Sequence, residues 1–285
     1  MLYTFINKKS LQKFLHFILS HALWVALCAA SLVFQTIELL HLPVNYYLLA
    51  FVFFATLCSY NFHFLLGNVF GGEKIILKLY NHYSSIFFLL TGAAGMLILF
   101  SATHISIVNV AAAFLLTFLY SIPLLPVKQL AFTRKAGFVK TILLAFTWMF
   151  VTAYLPISQY HKYLSLLDLL LLTKRFLFML MLCILFDNRD AAVDIIRGLH
   201  SLATDLSPAL MKWLIYILFV LLFVINYLLG HYGITIRQRI ALQLTSIATL
   251  VTYFFSTKKQ GYLFYYFIVD GLMFLSALLV TIASI

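Results

Sequence analysis

Acidic side chains are scarce in this sequence. Asp and Glu together number eight in 285 residues, against nineteen Lys and Arg. Only 9% of residues are charged, where a soluble globular chain carries about 25%. That shortage excludes a water-soluble domain with an ordinary solvated surface. Cysteine is also rare: Cys28, Cys58 and Cys183 each fall inside an apolar run, with no C-x-x-C spacing. A disulfide framework and a cysteine zinc site are both excluded by that pattern. Short segments of alternating polarity are missing too, which argues against a membrane β-barrel.

What the chain has instead is apolar length. Hydrophobic residues make up 64% of it, and mean hydropathy is +1.05. The apolar residues recur in runs of roughly 20, enough to cross a bilayer core of about 30 Å as helix. Nine spans are expected, near 15–37, 45–66, 82–101, 105–122, 138–157, 164–186, 211–230, 238–256 and 262–283. Turn and polar chemistry separates them, as in HLPVN (41–45), GNVFGG (67–72), IPLLPVKQ (122–129) and GHYG (230–233). The reading is an all-α polytopic membrane protein in a single transmembrane domain, residues 1–285. Residues 8–31 have the basic-then-apolar order of a signal peptide, but the run is long and further spans follow, so it reads as the first span.

The net charge of +11 needs no nucleic acid partner. With the N-terminus inside, fourteen of the nineteen basic residues fall on the inner side and three, Lys162, Arg237 and Arg239, on the outer. Lys174 and Arg175 lie within a span. This asymmetry predicts a cytoplasmic N-terminus. The three longest connections, 67–81, 123–137 and 187–210, then share the cytoplasmic side, where function is expected.

Three of the eight carboxylates cluster just past an uncharged run, in FDNRDAAVDIIRG, 186–198. If the sixth helix continues, Asp187, Asp190 and Asp194 fall within a sector of roughly 60°. Carboxylates on one face repel unless a cation sits among them, and oxygen-only ligands favour Mg²⁺ or Ca²⁺. A solvated helix end, paired to Arg189 and Arg197, is the plainer reading of the same residues. The basic loop 119–141, with Lys128, Arg134, Lys135 and Lys140, is expected on the same side, where its cations serve either topology alone or a diphosphate.

These stretches together resemble the UbiA family of membrane-intrinsic prenyltransferases. The family's second aspartate-rich motif is similar to Asp187, Arg189, Asp190, Asp194, Gly198, Ser201 and Leu202 here, with Ala203 where a Pro is expected. Tyr120 and Ser121 before the basic loop, Trp148 and Leu155-Pro156 also resemble it. The resemblance implies a UbiA-like bundle of nine helices with its active site on the cytoplasmic side. It implies Mg²⁺ as cofactor on Asp187, Asp190 and Asp194. Lys128, Arg134, Lys140 and Arg189 would bind the diphosphate of a polyprenyl donor. The prenyl group would pass to a lipophilic acceptor, an aromatic or a lipid. The expected location is a bacterial inner (plasma) membrane.

The first aspartate motif departs from the family. Asn61 is kept, but Phe62, Leu65 and Val69 stand where aspartates belong. Asn61, His63 and Asn68 remain as neutral pocket candidates, with Tyr120 and Arg175. Arg175 is expected in a polar network, with Asp168 as a possible partner; Asp270 is a further carboxylate inside a span with no evident role. Two alternatives to an active prenyltransferase stay open: a non-catalytic relative binding an isoprenoid lipid or partner enzyme, and a small transporter suggested by Lys174, Arg175 and Asp270.

Overall fold

The computed structural model describes residues 13–70, 75–121, 137–197, 200–258 and 260–285, and every element among them is helical. Helix α1 (Lys13–Ser20) meets α2 (Leu23–Leu39) at 64°. Then come α3 (Tyr46–Phe70), α4 (Ile75–Thr103) and α5 (Ile107–Ser121). Helix α6 (Gly137–Met149) runs through a π-helical turn, Phe150–Tyr154, into α7 (Leu155–Tyr160). The 32-residue α8 (Leu166–Arg197) is followed by the single turn α9 (Leu202–Asp205). Next are α10 (Pro208–Leu228) and α11 (Ile236–Ser256). The last helix, α12 (Asp270–Ser284), is entered through a second π-helical turn, Phe264–Val269.

Each of the nine expected spans falls on a helix, but they are not equal. Among the described residues six helices are long and apolar enough to cross a membrane, seven if α1 and α2 count as one bent span. The first span is therefore not one straight helix. Ala22 takes a left-handed conformation (φ 61°) and breaks it. Helix α5 is shorter, at 15 residues. Helix α11 is long enough but carries Gln238, Gln243, Thr245, Ser246, Thr249 and Thr252.

The placement of those polar residues is informative. On α11 the buried face is Gln238, Thr245, Ser246, Thr249 and Thr252, while Ile236, Ile240, Leu244 and Val251 are exposed. That is the reverse of a water-soluble helix and fits a lipid solvent, where small polar residues pack inside. Helix α8 is the core: 72% of its Leu166–Ala191 span is buried, against 11% for the Tyr83–Thr103 span of α4. An unbroken apolar run such as FLFMLMLCILF has no polar face to show solvent, so it is surrounded by neighbours.

Side-chain ties replace the missing hydrophobic drive between helices in lipid. Gln35 of α2 donates to the carbonyl and hydroxyl of Ser276 in α12, both at 2.8 Å. Thr36 donates to the Thr152 carbonyl in the first π-helical turn at 2.9 Å. Asn226 donates to Ser246 at 3.1 Å, joining α10 to α11. Between α3 and α4 the contact is backbone-close at Gly92, where a Cβ would lie 2.7 Å from the Cys58 nitrogen. The three cysteines are free thiols, and Cys28 and Cys183 are buried.

Candidate functional site at the end of helix α8

Helix α8 does continue past Phe186, through Arg197, and this decides where the three aspartates stand. The ends of α3, α5 and α8 and the start of α6 gather at one end of the bundle. Thr141, on the first turns of α6, donates to Asp187 at 2.6 Å. The Leu202 N–H, at the start of α9, lies near the Asp187 carboxylate. Asp187 is thus held from α6, with α9 close by at the end of α8.

Asp190 makes a two-pronged pair with Arg189, both contacts at 2.7 Å. The pair is partly exposed, so by itself it adds little stability. The guanidinium has a second set of partners. Its carbon lies 4.9 Å from the Phe186 ring, 5.6 Å from Tyr265 and 4.8 Å from Tyr266. One terminal nitrogen, Nη1, is buried with no hydrogen-bond partner among the described residues. A planar cation held by a carboxylate and three aromatic faces, with a donor left over, suits a phosphate oxygen.

Lys140 lies within electrostatic range of Asp187, Asp190 and Asp194 together. Its ammonium also sits 5.9 Å from the Tyr120 ring. Tyr120 in turn stacks on His63, ring centres 5.1 Å apart and 13° from parallel. Asp194 is buried. So Lys140, His63, Tyr120 and the three aspartates do share one end of the bundle, as their positions in the sequence suggest.

Lys128 and Arg134 are outside the described residues; Asn68 is on the last turns of α3, with its side chain outside them too. The Asn61 amide donates to the Leu57 carbonyl at 2.8 Å and the His21 carbonyl at 3.1 Å, tying α3 to the α1–α2 bend. Arg175 is twelve residues back along α8, about 18 Å at 1.5 Å per residue. Nor does it pair with Asp168. Arg175 donates to the Leu32 carbonyl at 3.0 Å and the Thr36 hydroxyl at 3.1 Å. Asp168 instead accepts from the backbone and hydroxyl of Ser165, 2.8 and 2.7 Å, and contacts His161 at 2.9 Å. It caps the start of α8, where a carboxylate meets unpaired N–H groups.

Sequence reasoning missed Thr141 and the aromatic walls around Arg189. Thr141 adjoins Lys140, but only the packing of α6 on α8 gives it a role. The run FYYF at 264–267 is visible in the sequence; the π-helical turn that presents Tyr265 and Tyr266 together is not.

Among the described residues no three His, Cys, Asp or Glu side chains gather so as to hold a metal ion. This is no dedicated metal cage. The donor set fits an ion of another kind: Mg²⁺ is commonly held by one or two carboxylates, with substrate phosphates and water completing its shell. Asp187 and its neighbours on one helix face meet that lesser requirement.

No family model matches the chain, and no curated protein matches it by sequence. Solved structures do. The chain superposes on the apo structure of a UbiA homologue from Aeropyrum pernix K1 with a TM-score of 0.61, over 90% of this chain and 96% of that one, at 12% identity. The chain has the UbiA-type fold. It also superposes on a digeranylgeranylglyceryl phosphate synthase, TM-score 0.56, over 96% and 97% of the two chains at 13% identity. Both matches run nearly end to end, so the UbiA-type fold covers the bundle rather than a shared fragment of it.

Proposed function

We propose that the protein is a UbiA-like integral-membrane prenyltransferase, passing a prenyl group from a polyprenyl diphosphate to a lipophilic acceptor, an aromatic or a lipid. One observation carries this reading. Within the UbiA-type fold, the end of α8 sets Asp187, Asp190 and Asp194 beside Lys140 and an aromatic-walled Arg189 whose Nη1 has no hydrogen-bond partner among the described residues. Orientation follows from the basic-residue asymmetry: this end is cytoplasmic, in a bacterial inner membrane.

In this reading Lys140 and the Arg189 Nη1 bind diphosphate oxygens, and the charge-assisted bonds strengthen as negative charge grows on the leaving group. Thr141 holds Asp187 in one orientation. Mg²⁺, when bound with the diphosphate, supplies Lewis-acid neutralisation of the leaving group. Phe186, Tyr265 and Tyr266 exclude water beside Arg189, and their faces favour positive charge.

The acidic residues absent from α3 favour a second reading, a relative that binds an isoprenoid diphosphate without turnover. One experiment separates the two: purified protein is given geranylgeranyl diphosphate with Mg²⁺, and bound ligand and released diphosphate are measured. Binding with release on adding acceptor supports the transferase. Binding without release under any acceptor supports the second reading. No binding at all refutes both.

A further inference from the structure

Lys174 and Arg175 are the cations for which the aspartate end of α8 has no use. They stand roughly 18–20 Å back from Asp187, inside the apolar span Leu166–Ala191. Lys174 is 4% exposed and Arg175 2%. The layer around them is polar. Its level follows from the small core cluster Leu39, Leu171, Leu229, Leu242 and Val280. One helical turn from that cluster, toward the aspartate end, stand Gln35 and Thr36 of α2, Asn226 of α10, Ser246 of α11 and Ser276 of α12, all buried. Gln35 bonds Ser276 and Asn226 bonds Ser246 across this layer. Arg175 joins it through the Thr36 hydroxyl.

We infer that Arg175 and Lys174 hold a small monovalent anion of the chloride class in this buried layer. The Arg175 guanidinium stays charged in any protein environment. It donates to the Leu32 carbonyl and the Thr36 hydroxyl, but its Nη1 is buried with no hydrogen-bond partner among the described residues. Lys174 lies within electrostatic range of Arg175 and makes no hydrogen bond among the described residues. Among those residues no carboxylate is within that range of either cation. Of the acids on α2 and the first half of α8, Glu38 accepts from Thr281 and Asp168 from Ser165. Adjacent cations are thus buried in the span without a counter-charge, which is strongly destabilising unless an anion joins them. Depth and enclosure set the class. Lipid phosphates stay at the membrane interface, and a diphosphate at Asp187 is too far along α8, so the occupant is a small free ion. Gln35 Oε1 and Asn226 Oδ1 are also buried without a partner among the described residues. They suit water in the shell of the anion, since water donates to both.

The test uses the full-length protein in detergent micelles, exchanged into sodium gluconate, with chloride titrated in at constant ionic strength. Thermal unfolding is expected to rise by several degrees with a saturable chloride dependence. Crystals soaked in bromide, standing in for chloride, are expected to show an anomalous-scattering peak against Arg175 Nη1 or Lys174 Nζ. Lys174→Met raises the half-saturating chloride concentration at least tenfold, while Lys174→Arg, which keeps the charge, stays within about threefold. Asp187→Asn/Asp190→Asn leaves the chloride response intact, so this site stands whether or not the prenyltransferase reading does. Equal unfolding temperatures in chloride and gluconate overturn the inference. So does a chloride response that Lys174→Met leaves unchanged, since that is surface screening. If Lys174→Met does not fold, the bromide experiment on the wild type decides alone: a peak in the layer sustains the inference, and its absence overturns it.

Discussion

The ends of α3 and α8 lie at the same end of the bundle, and both positions carry a resemblance to an aspartate-rich motif. Their chemistry differs. On α8, Asp187, Asp190 and Asp194 stand beside Thr141, Arg189 and Lys140. On α3, Phe62, Leu65 and Val69 occupy the corresponding positions, and the Asn61 amide donates to the His21 carbonyl. Phe62 is 41% exposed, which a phenyl ring tolerates in lipid but an aspartate would not. The difference teaches that a motif position has chemical meaning only with its partners. The end of α8 is polar and carries both signs of charge, whereas Asn61 on α3 is a structural tie.

The strongest way to break this comparison is at α8. The double change Asp187→Asn/Asp190→Asn removes two carboxylates, each worth about 1.5–3 kcal/mol in charge-assisted contacts. Mg²⁺-dependent binding of geranylgeranyl diphosphate should weaken at least a hundredfold, measured with radiolabelled ligand. An affinity unchanged by it would show that the aspartates are only a solvated helix end.

A smaller effect is expected at Thr141, whose bond to Asp187 orients that side chain without touching ligand. Thr141→Val keeps the shape and removes the donor. Diphosphate binding is expected to weaken about tenfold, for about 1.5 kcal/mol lost. Thr141→Ser should restore it, and failure of that rescue would point to packing instead.

At α3 the expectation reverses. Asn61→Leu leaves the His21 and Leu57 carbonyls with one donor fewer, costing about 1–3 kcal/mol. Thermal unfolding in detergent should come several degrees lower, while diphosphate affinity stays within twofold. A large loss of affinity with no loss of stability would return Asn61 to the site.

The smallest effect sharpens the same contrast. Phe62→Asp restores one family carboxylate but none of its partners. Binding of geranylgeranyl diphosphate is expected to change less than twofold. A marked gain would mean that the α3 end still retains its half of a binding site.

Much of this was legible in the sequence. Apolar length and the scarcity of charge required helices in a membrane, and the FLFMLMLCILF run was rightly placed within one helix. The spacing of Asp187, Asp190 and Asp194 put them on one face once the helix continued, which it does. The reading that Arg175 belongs to a structural network also holds, though its partners are Leu32 and Thr36 rather than Asp168. The failures share a cause. The partner of a buried polar group is set by which helix lies against it, and residues such as Arg175 and Leu32, 143 apart in the chain, carry no mark of their contact. The straight first span failed for a related reason, since nothing in HAL at 21–23 announces a left-handed alanine.

By itself the sequence determined the solvent and the secondary structure. In lipid every backbone polar group must be satisfied locally, so long apolar runs have little choice but to be helical. It also determined which helix end carries negative charge. Only the tertiary structure decided what that charge faces. Two π-helical turns and one bend at Ala22 rotate side chains by amounts that no regular period encodes. The second π-helical turn sets Tyr265 and Tyr266 against Arg189, and the bend puts the His21 carbonyl within reach of Asn61.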